Sequence, residues 1–580
     1  APECSPPWHN EEITMLNEKA KDKKFWESVA ADPRYARFIR MVKKCYENTY
    51  VEAPPMLLFS DRFRYYRDGD RSSFEKPYFI RRTLLSAAAM LALLYPEEEK
   101  YIKTVNDLIW GICSEYSWAV PAHTSGKYED DMTMVDLFAA ETGFALSEIC
   151  YLLEDRLDEH VLYRARINVT KRIFDSYESR NYWWEKCNNN WAAVCSGSVG
   201  ISYMYLDPER FKKVLPRILD TMSHFIGGYS DDGRCLEGFS YCQYGLCFYV
   251  YFADMLSQFE GKKSELLTNN KIEKIAGYPG SCFMKGDTAV SFSDAGLSAS
   301  ITIHLMHYLH RLFPDKMHIL LDKYTYLWGA NIPFCGYLRA FTYFDPAAVP
   351  VDIPIGDHYS KESGQLIINR PTYSFACKAR NNDEPHNHND VGTFIISTDA
   401  GQQICDMGRG RYTKQYFQPE HRYSFICNNS FGHSVPIING KGEKAGKEFC
   451  GELSYTDGIA KIEFAKAYGL PELHRLTRIF GFDDNSVGMT DSFDTDNGTE
   501  ITERFISFVI PKVCDDAVII GDIALHFDRS VCDVSVKKEK NTVHGFSNDK
   551  DGNPETIDIY CTDLTLKPGI SSINITFSKV

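Results

Sequence analysis

The chain has 580 residues, and 64 Lys+Arg against 79 Asp+Glu give it a net charge of −15. With 44% hydrophobic and 25% charged residues it has the make-up of a folded globular protein, which excludes a disordered or collagen-like chain. The acidic balance argues against a general nucleic-acid binder, whose affinity rests on neutralising phosphates.

The opening residues Ala1-Pro2-Glu3-Cys4 show no basic stretch followed by an apolar one, so no leader is read there. From about residue 10 to 345 the apolar residues recur at helical spacing, as in Thr83–Leu94, Val105–Ile112, Met134–Leu153, Val199–Tyr205, Phe211–Phe225 and Leu246–Phe259. The longest apolar run, Leu84 to Tyr95, is shorter than the ~18–20 residues of a membrane span. Around Ala347–Asp357 the period changes to two, in Tyr373–Lys378, Thr393–Thr398, Ile459–Ala467, Arg475–Phe482, Ile501–Ile510 and Ile573–Phe577. Turn signals such as Asp399-Ala400-Gly401 and Asn439-Gly440 separate these runs. Two domains are predicted: an all-helical unit over 1–345 and an antiparallel β-sandwich over 346–580. Eighteen cysteines are scattered without a CxxC pair, the pattern of buried free thiols in a reducing compartment. The expected location is cytoplasmic, with a secreted or periplasmic protein that has lost its leader as the alternative.

Four segments carry candidate chemistry. Asn188-Asn189-Asn190-Trp191 precedes a helical run. Asn disfavours a helix interior and favours its N-cap, so the helix starts here; its first N–H groups and dipole make a ready anion site, although a plain capped helix is the commoner reading of this motif alone. In Glu237-Gly238-Phe239-Ser240-Tyr241-Cys242-Gln243-Tyr244-Gly245, Glu237, Tyr241 and Tyr244 share one helix surface. Such an aromatic stripe is more often core, but the two glycines suggest a helix mouth facing a cavity.

The third segment, Glu384-Pro385-His386-Asn387-His388-Asn389-Asp390, enters a strand. If it is already extended, His386 and His388 face the same side. Asp406 and His433 follow from separate β segments, and two His plus one Asp suit a tetrahedral metal set such as zinc with water in fourth place, slightly ahead of ordinary hydrogen-bonded loop histidines; spacing does not identify the metal. The fourth, from Arg409 to Arg422, interleaves Arg411 and other basic residues with Tyr412 and Tyr416. Inside an acidic chain it suggests an anionic-ligand pocket more than a solvated face.

Together the segments resemble the heparinase II/III-like polysaccharide lyase superfamily, over nearly the whole chain. The stretch from His386 to Gly440 is similar to that family's β-domain signature, and the Asn-Asn-Trp and Glu-Gly-x-x-Tyr-x-x-Tyr segments occur in the family's order. The resemblance implies an N-terminal (α/α) toroid of helical hairpins followed by a C-terminal antiparallel β-sandwich. It implies β-elimination on uronate-containing glycans in the cleft between them. Asn190, with Asn189 second, would neutralise the uronate carboxylate. Tyr241, with Tyr244 as rival, would transfer protons, and His386 would face the substrate. His388, Asp406 and His433 would hold a structural zinc. Tyr416 or Tyr412 would line the cleft, with Arg411 in the basic cluster and Glu237 beside the sugar, and His123 would touch it from another toroid loop. Some relatives carry His where this chain has Trp191, which removes one candidate base.

Elimination removes the C5 proton, α to a carboxylate, and expels the C4 oxygen. Fixed donors must offset the growing charge, and a base and an acid must reach C5 and O4. The expected partner is an anionic uronate oligosaccharide or polysaccharide, a glycosaminoglycan or alginate, with no nucleic acid and no membrane; homo-oligomers stay open. The acidity favours shorter or less charged chains. Two readings compete: a glycoside hydrolase using Glu237 with Asp131 or Asp136, and a non-catalytic carbohydrate-binding protein.

Overall fold

The computed structural model describes residues 15–51, 53–296, 300–326 and 333–580; the Ala1–Cys4 segment lies outside them. Six helices of the N-terminal part matter for the site: α1 (Ser72–Leu94), α2 (Leu137–Leu152), α3 (Asn190–Leu206), α4 (Pro208–Gly227), α5 (Phe239–Glu260) and α6 (Phe334–Thr342). Helices α2 and α3 are apolar on every face, so both are buried along almost their whole length. Helix α3 packs against α2, α4 and α5, and the small residues of these helices let the backbones approach closely. Gly245 is the instructive one. A Cβ there would lie 2.6 Å from the Phe225 ring and 3.1 Å from the Asn190 Cα, so only glycine lets α5 bring its tyrosines beside the start of α3.

Helix α1 runs further than the Leu84–Tyr95 stretch read from the sequence and has the length and apolar character of a membrane span. However, 78% of its apolar window is buried against the rest of the protein, and it packs against α6. The seventeen described cysteines are free.

Helix α6 ends at Thr342 and the first sandwich strand starts at Gly356. Five antiparallel strands, β1 (Gly356–Ser360), β2 (Gln365–Asn369), β3 (Ser374–Lys378), β4 (Phe394–Thr398) and β5 (Gly401–Ile404), form one sheet in the order β5-β4-β3-β2-β1. A second, eight-stranded sheet begins with Glu452–Thr456 and ends at its far edge with Lys512–Val513. A four-stranded sheet includes Ile501–Ser507 and Thr556–Leu566.

Alternation makes the five-stranded sheet a shared wall. Ile367, Ala376 and Ile395 join the helical core, while Leu366, Ile368, Phe375, Phe394 and Ile396 join the sandwich core. Each buried Ile contributes roughly 1.5–3 kcal/mol, so Ile395→Asp would break the seam between the two parts. The Ile459–Ala467 run is strand only to Glu463; Phe464 then leaves the extended region and a 3-10 turn follows over Ala465–Ala467.

A short hairpin in the helical part, Phe283–Met284 with Thr288–Ala289, lies against this wall. Lys285 N–H donates to Ser374 Oγ at 3.0 Å and Ser397 Oγ donates to Lys285 O at 2.7 Å. The chain then runs into Ser293-Asp294, at the seam.

Candidate active site

Asn189 caps α3: its Oδ1 accepts from Trp191 N–H at 3.1 Å. Asn190, the first helical residue, is buried, and both its backbone N–H and its Nδ2 donate to the Glu237 carboxylate, at 2.9 and 3.0 Å. Gly238 has φ 88°, a left-handed turn that only glycine adopts freely, and it folds Glu237 back onto the helix start. The helix terminus expected to receive an external anion therefore already holds the protein's own carboxylate. Asn190 Oδ1 is buried with no hydrogen-bond partner. Burial raises Glu237 above the usual carboxylate range, while His386 and the Asn190 donors pull it down.

Tyr241 and Tyr244, one turn apart on α5, line a cavity of about 490 Å³ together with Ser240, Gln243, Tyr326 and Arg409. Their hydroxyls go different ways. Tyr244 donates to the buried Glu141 of α2. Tyr241 shares a 2.6 Å hydrogen bond with Tyr412 from the sandwich, and its ring stacks on His386. Burial pushes Tyr241 up to about 12, with Arg409 acting in the opposite direction.

The histidine segment is not extended. His386 has φ 59°, and the two histidines converge through a residue that the sequence did not flag. Asp294 takes His386 Nδ1 on one oxygen at 2.8 Å and His388 Nε2 on the other at 3.0 Å. Arg422 adds a contact at 3.2 Å and Tyr416 a hydroxyl at 2.5 Å. Burial alone would raise Asp294, but these donors outweigh it and hold the carboxyl well below its usual range. With Nδ1 tied, Nε2 is the ring nitrogen His386 can offer the cleft.

Other expected residues are also redirected. Tyr416, expected to line the cleft, is fully buried, its hydroxyl bonded to Asp294 and to Asn428 at 2.8 Å. Arg411 turns away to Asn548 Oδ1 at 2.7 Å and Ser72 Oγ at 3.0 Å, bridging the two parts. Arg409 stands at the cavity instead, 5.8 Å over the Tyr412 ring and with Nε unpartnered. His123 Nδ1 is 2.7 Å from Asp136, and its ring meets Trp191 at 4.7 Å.

His388, Asp406 and His433 are fully buried and present ligand atoms within 4.8 Å of one another. A register shift between Gln402 and Ile404 in β5 turns the chain so that Asp406 points inward. His433 Nε2 bonds Cys427 O at 2.9 Å, as His388 Nε2 bonds Asp294. This leaves His388 Nδ1 buried without a hydrogen-bond partner, and His433 Nδ1 and Asp406 Oδ2 facing each other at 3.2 Å with no well-aligned hydrogen bond. Three such atoms within 4.8 Å of one another, with the opposite ring nitrogens fixed by a carboxylate and a carbonyl, fit a divalent metal of zinc's preferences. Without one, burial opposes charge on His433, yet Asp406 and Asp390 push it up to about 9.

The acids needed by a hydrolase are committed elsewhere. Asp131 pairs with Arg62 and accepts from Gly126 N–H; Asp136 caps α2 through Ala139 N–H.

No protein-family model and no curated protein sequence matches the chain. Solved structures do. Heparinase III aligns at TM-score 0.64 and 12% identity over 99% of this chain and 87% of that one. The heparan sulfate lyase HepC from Pedobacter heparinus aligns at 0.57 and 12% over 97% and 86%. The Streptomyces coelicolor A3 chondroitin AC lyase aligns at 0.57 and 10% over 96% and 82%. At such identities the likeness is one of fold, and the chain has the toroid-plus-sandwich fold of the heparinase-like polysaccharide lyases.

Proposed function

We propose that the protein is a lyase that cleaves uronate-containing oligosaccharides or polysaccharides by β-elimination. One observation carries the reading: Tyr241, Tyr412 and His386 meet across the seam between toroid and sandwich, beside a cavity lined by Arg409. The fold shared with heparan and chondroitin lyases supports it.

In this reading the uronate carboxylate enters near Arg409, whose guanidinium offsets the charge that builds as C5 loses its proton, while the Asn190 donors hold Glu237 in place. Tyr241 is the proton-transfer residue in preference to Tyr244, because the Tyr244 hydroxyl is bound to Glu141 while that of Tyr241 is shared with another phenol. A buried tyrosine is a poor base unless its phenolate is favoured; Arg409 and the Tyr412 hydroxyl supply that bias. His386, oriented by Asp294, stands beside Tyr241 to donate to the carboxylate or to take the C5 proton when proton and leaving oxygen lie on opposite faces. His388, Asp406 and His433 would hold a zinc ion, which when bound neutralises the buried carboxylate and fixes the two rings. The protein's own contribution is to hold His388 against Asp294 and thereby set the angle of His386.

The test is a screen of heparan, chondroitin, hyaluronan and alginate oligosaccharides for the ultraviolet absorbance of a conjugated unsaturated uronate. Absorbance growing with at least one of them is expected. Cleavage with no such absorbance on any glycan would contradict elimination.

A further inference from the structure

Behind the sandwich side of the cavity lies a hairpin that takes no part in the chemistry described above. Its strands, Cys532–Thr542 and Thr556–Leu566, pair along their whole length and carry the connection 543–555 to the toroid. There Phe546 packs on the apolar cluster of Phe74, Tyr78 and Phe79 from α1 together with Val120. The hairpin is therefore anchored at its base by the sandwich and at its tip by the toroid.

Between these anchors it grips one peptide unit from both sides. Arg411 N–H donates to Thr542 Oγ1 at 3.2 Å, and Gly410 O accepts from His544 Nδ1 at 3.2 Å. These are the N–H and the C=O of the same planar peptide bond, so its plane cannot turn without losing a hydrogen bond. Gly410 permits the close approach: a Cβ there would lie 3.0 Å from Cys427 Sγ and 3.2 Å from Thr542 Oγ1. The His544 ring also meets the Tyr412 ring nearly edge-on, with centroids 4.5 Å and planes 72° apart, a favoured aromatic arrangement. Burial, with Arg409 beside it, holds His544 down at about 3, so it stays neutral and puts no second cation next to Arg409.

The residues on either side of this peptide are the ones that differ in use. Arg409, before it, stands at the cavity; Arg411, after it, turns to Ser72 and Asn548. Tyr412 follows and shares its hydroxyl with Tyr241 at 2.6 Å. We propose that His544 is a positioning residue: through the Gly410–Arg411 peptide and the Tyr412 ring it holds the Tyr412 hydroxyl on Tyr241. That the two tyrosines do chemistry rests on the lyase reading; that His544 places them does not.

The experiment uses the full chain with His544→Ala, His544→Asn and His544→Gln, each also in the Tyr412→Phe background. Asn can put an amide N–H where Nδ1 stands, whereas the amide of Gln reaches the place of Nε2. Steady-state rates on the best glycan should show kcat lowered about tenfold for His544→Ala, the upper end for one neutral hydrogen bond, with KM within about threefold. His544→Asn should recover most of the loss and His544→Gln little of it. In Tyr412→Phe the change to Ala should cost less than about twofold, because the hydroxyl that His544 places is already gone. Melting temperatures of all variants check that folding is intact. Crystal structures read the placement without activity: the Tyr241–Tyr412 hydrogen bond should be lost in His544→Ala and kept in His544→Asn. Wild-type kcat for His544→Ala, with that bond kept, would overturn the proposal and leave the lyase intact, as would an equal loss in the Tyr412→Phe background. A broken bond in His544→Ala, in a protein that forms no unsaturated product from any glycan, would keep the positioning and discard the lyase.

Discussion

The imidazole of His386 lies flat against the phenol ring of Tyr241, centroids 4.0 Å apart and planes 16° apart. One ring comes from the toroid and the other from the sandwich, so their contact exists only when the two parts are joined. The Tyr241–Tyr412 hydrogen bond crosses the same seam. Any proton transfer at this place depends on the shared five-stranded wall as much as on the side chains.

Tyr241→Phe keeps the stack and removes the hydroxyl. It should lower kcat at least 10²-fold, the usual share of a general acid or base, with KM nearly unchanged. Initial rates on the best glycan decide this, and a tenfold or smaller loss would move the proton transfer to His386 or Tyr244.

Arg409 and Arg411 are two residues apart but have separate surroundings. Arg409→Ala should raise KM about tenfold or more by taking the cation from the cavity. Arg411→Ala should leave kcat/KM within about twofold and cost about 1 kcal/mol of stability through its lost hydrogen bonds. The reverse pattern in steady-state kinetics and thermal melts would mean that the substrate approaches along the Ser72–Asn548 side.

Metal analysis of the purified protein should find one zinc per chain. Asp406→Asn should lose it and lower stability by about 3 kcal/mol, the scale for breaking a buried charge cluster, with activity falling as His386 loses its support. A protein that carries no metal, and whose melting temperature ignores both chelator and added zinc, would contradict the assignment of His388, Asp406 and His433.

Burial pushes Glu141 up to about 8 from an ordinary 4.5, with the Tyr244 hydroxyl and Arg82 working against the rise. The folded protein therefore holds a proton there that the unfolded chain releases near 4.5. That stabilising difference is fully present below pH 4.5 and is lost as pH rises through 8. Its slope is at most about 1.4 kcal/mol per unit. Denaturant titrations between pH 5 and 8 should show a shallower decline for Glu141→Gln than for wild type. Parallel curves would mean that Glu141 is ionised in the folded state.

Much of the architecture was legible because periodicity is local. The change from helical to alternating spacing near Ala347 needs no partner to be seen, and neither do the Asn189 cap or the spacing that singled out His388, Asp406 and His433. What escaped depends on distance. Asp294 sits in an ordinary Ser-Asp-Ala-Gly stretch, and its partners His386 and His388 lie 92 and 94 residues on. The extended geometry expected at His386 fails because Asp294 draws that ring around a left-handed backbone. Arg409 and Arg411 have the same composition and neighbourhood; only the fold decides which one meets the cavity. Glu237 filling the start of α3 was equally hidden, since nothing in a helix-capping motif says whose carboxylate will arrive.

The central claim is that the glycosidic bond breaks by elimination and not by attack of water. Cleavage of the responsive glycan in oxygen-labelled water, followed by mass spectrometry of both products, tests this most directly. The account predicts no label in either new end and a product one water lighter than hydrolysis would give. Label entering the new reducing end, with no unsaturated product, would contradict it.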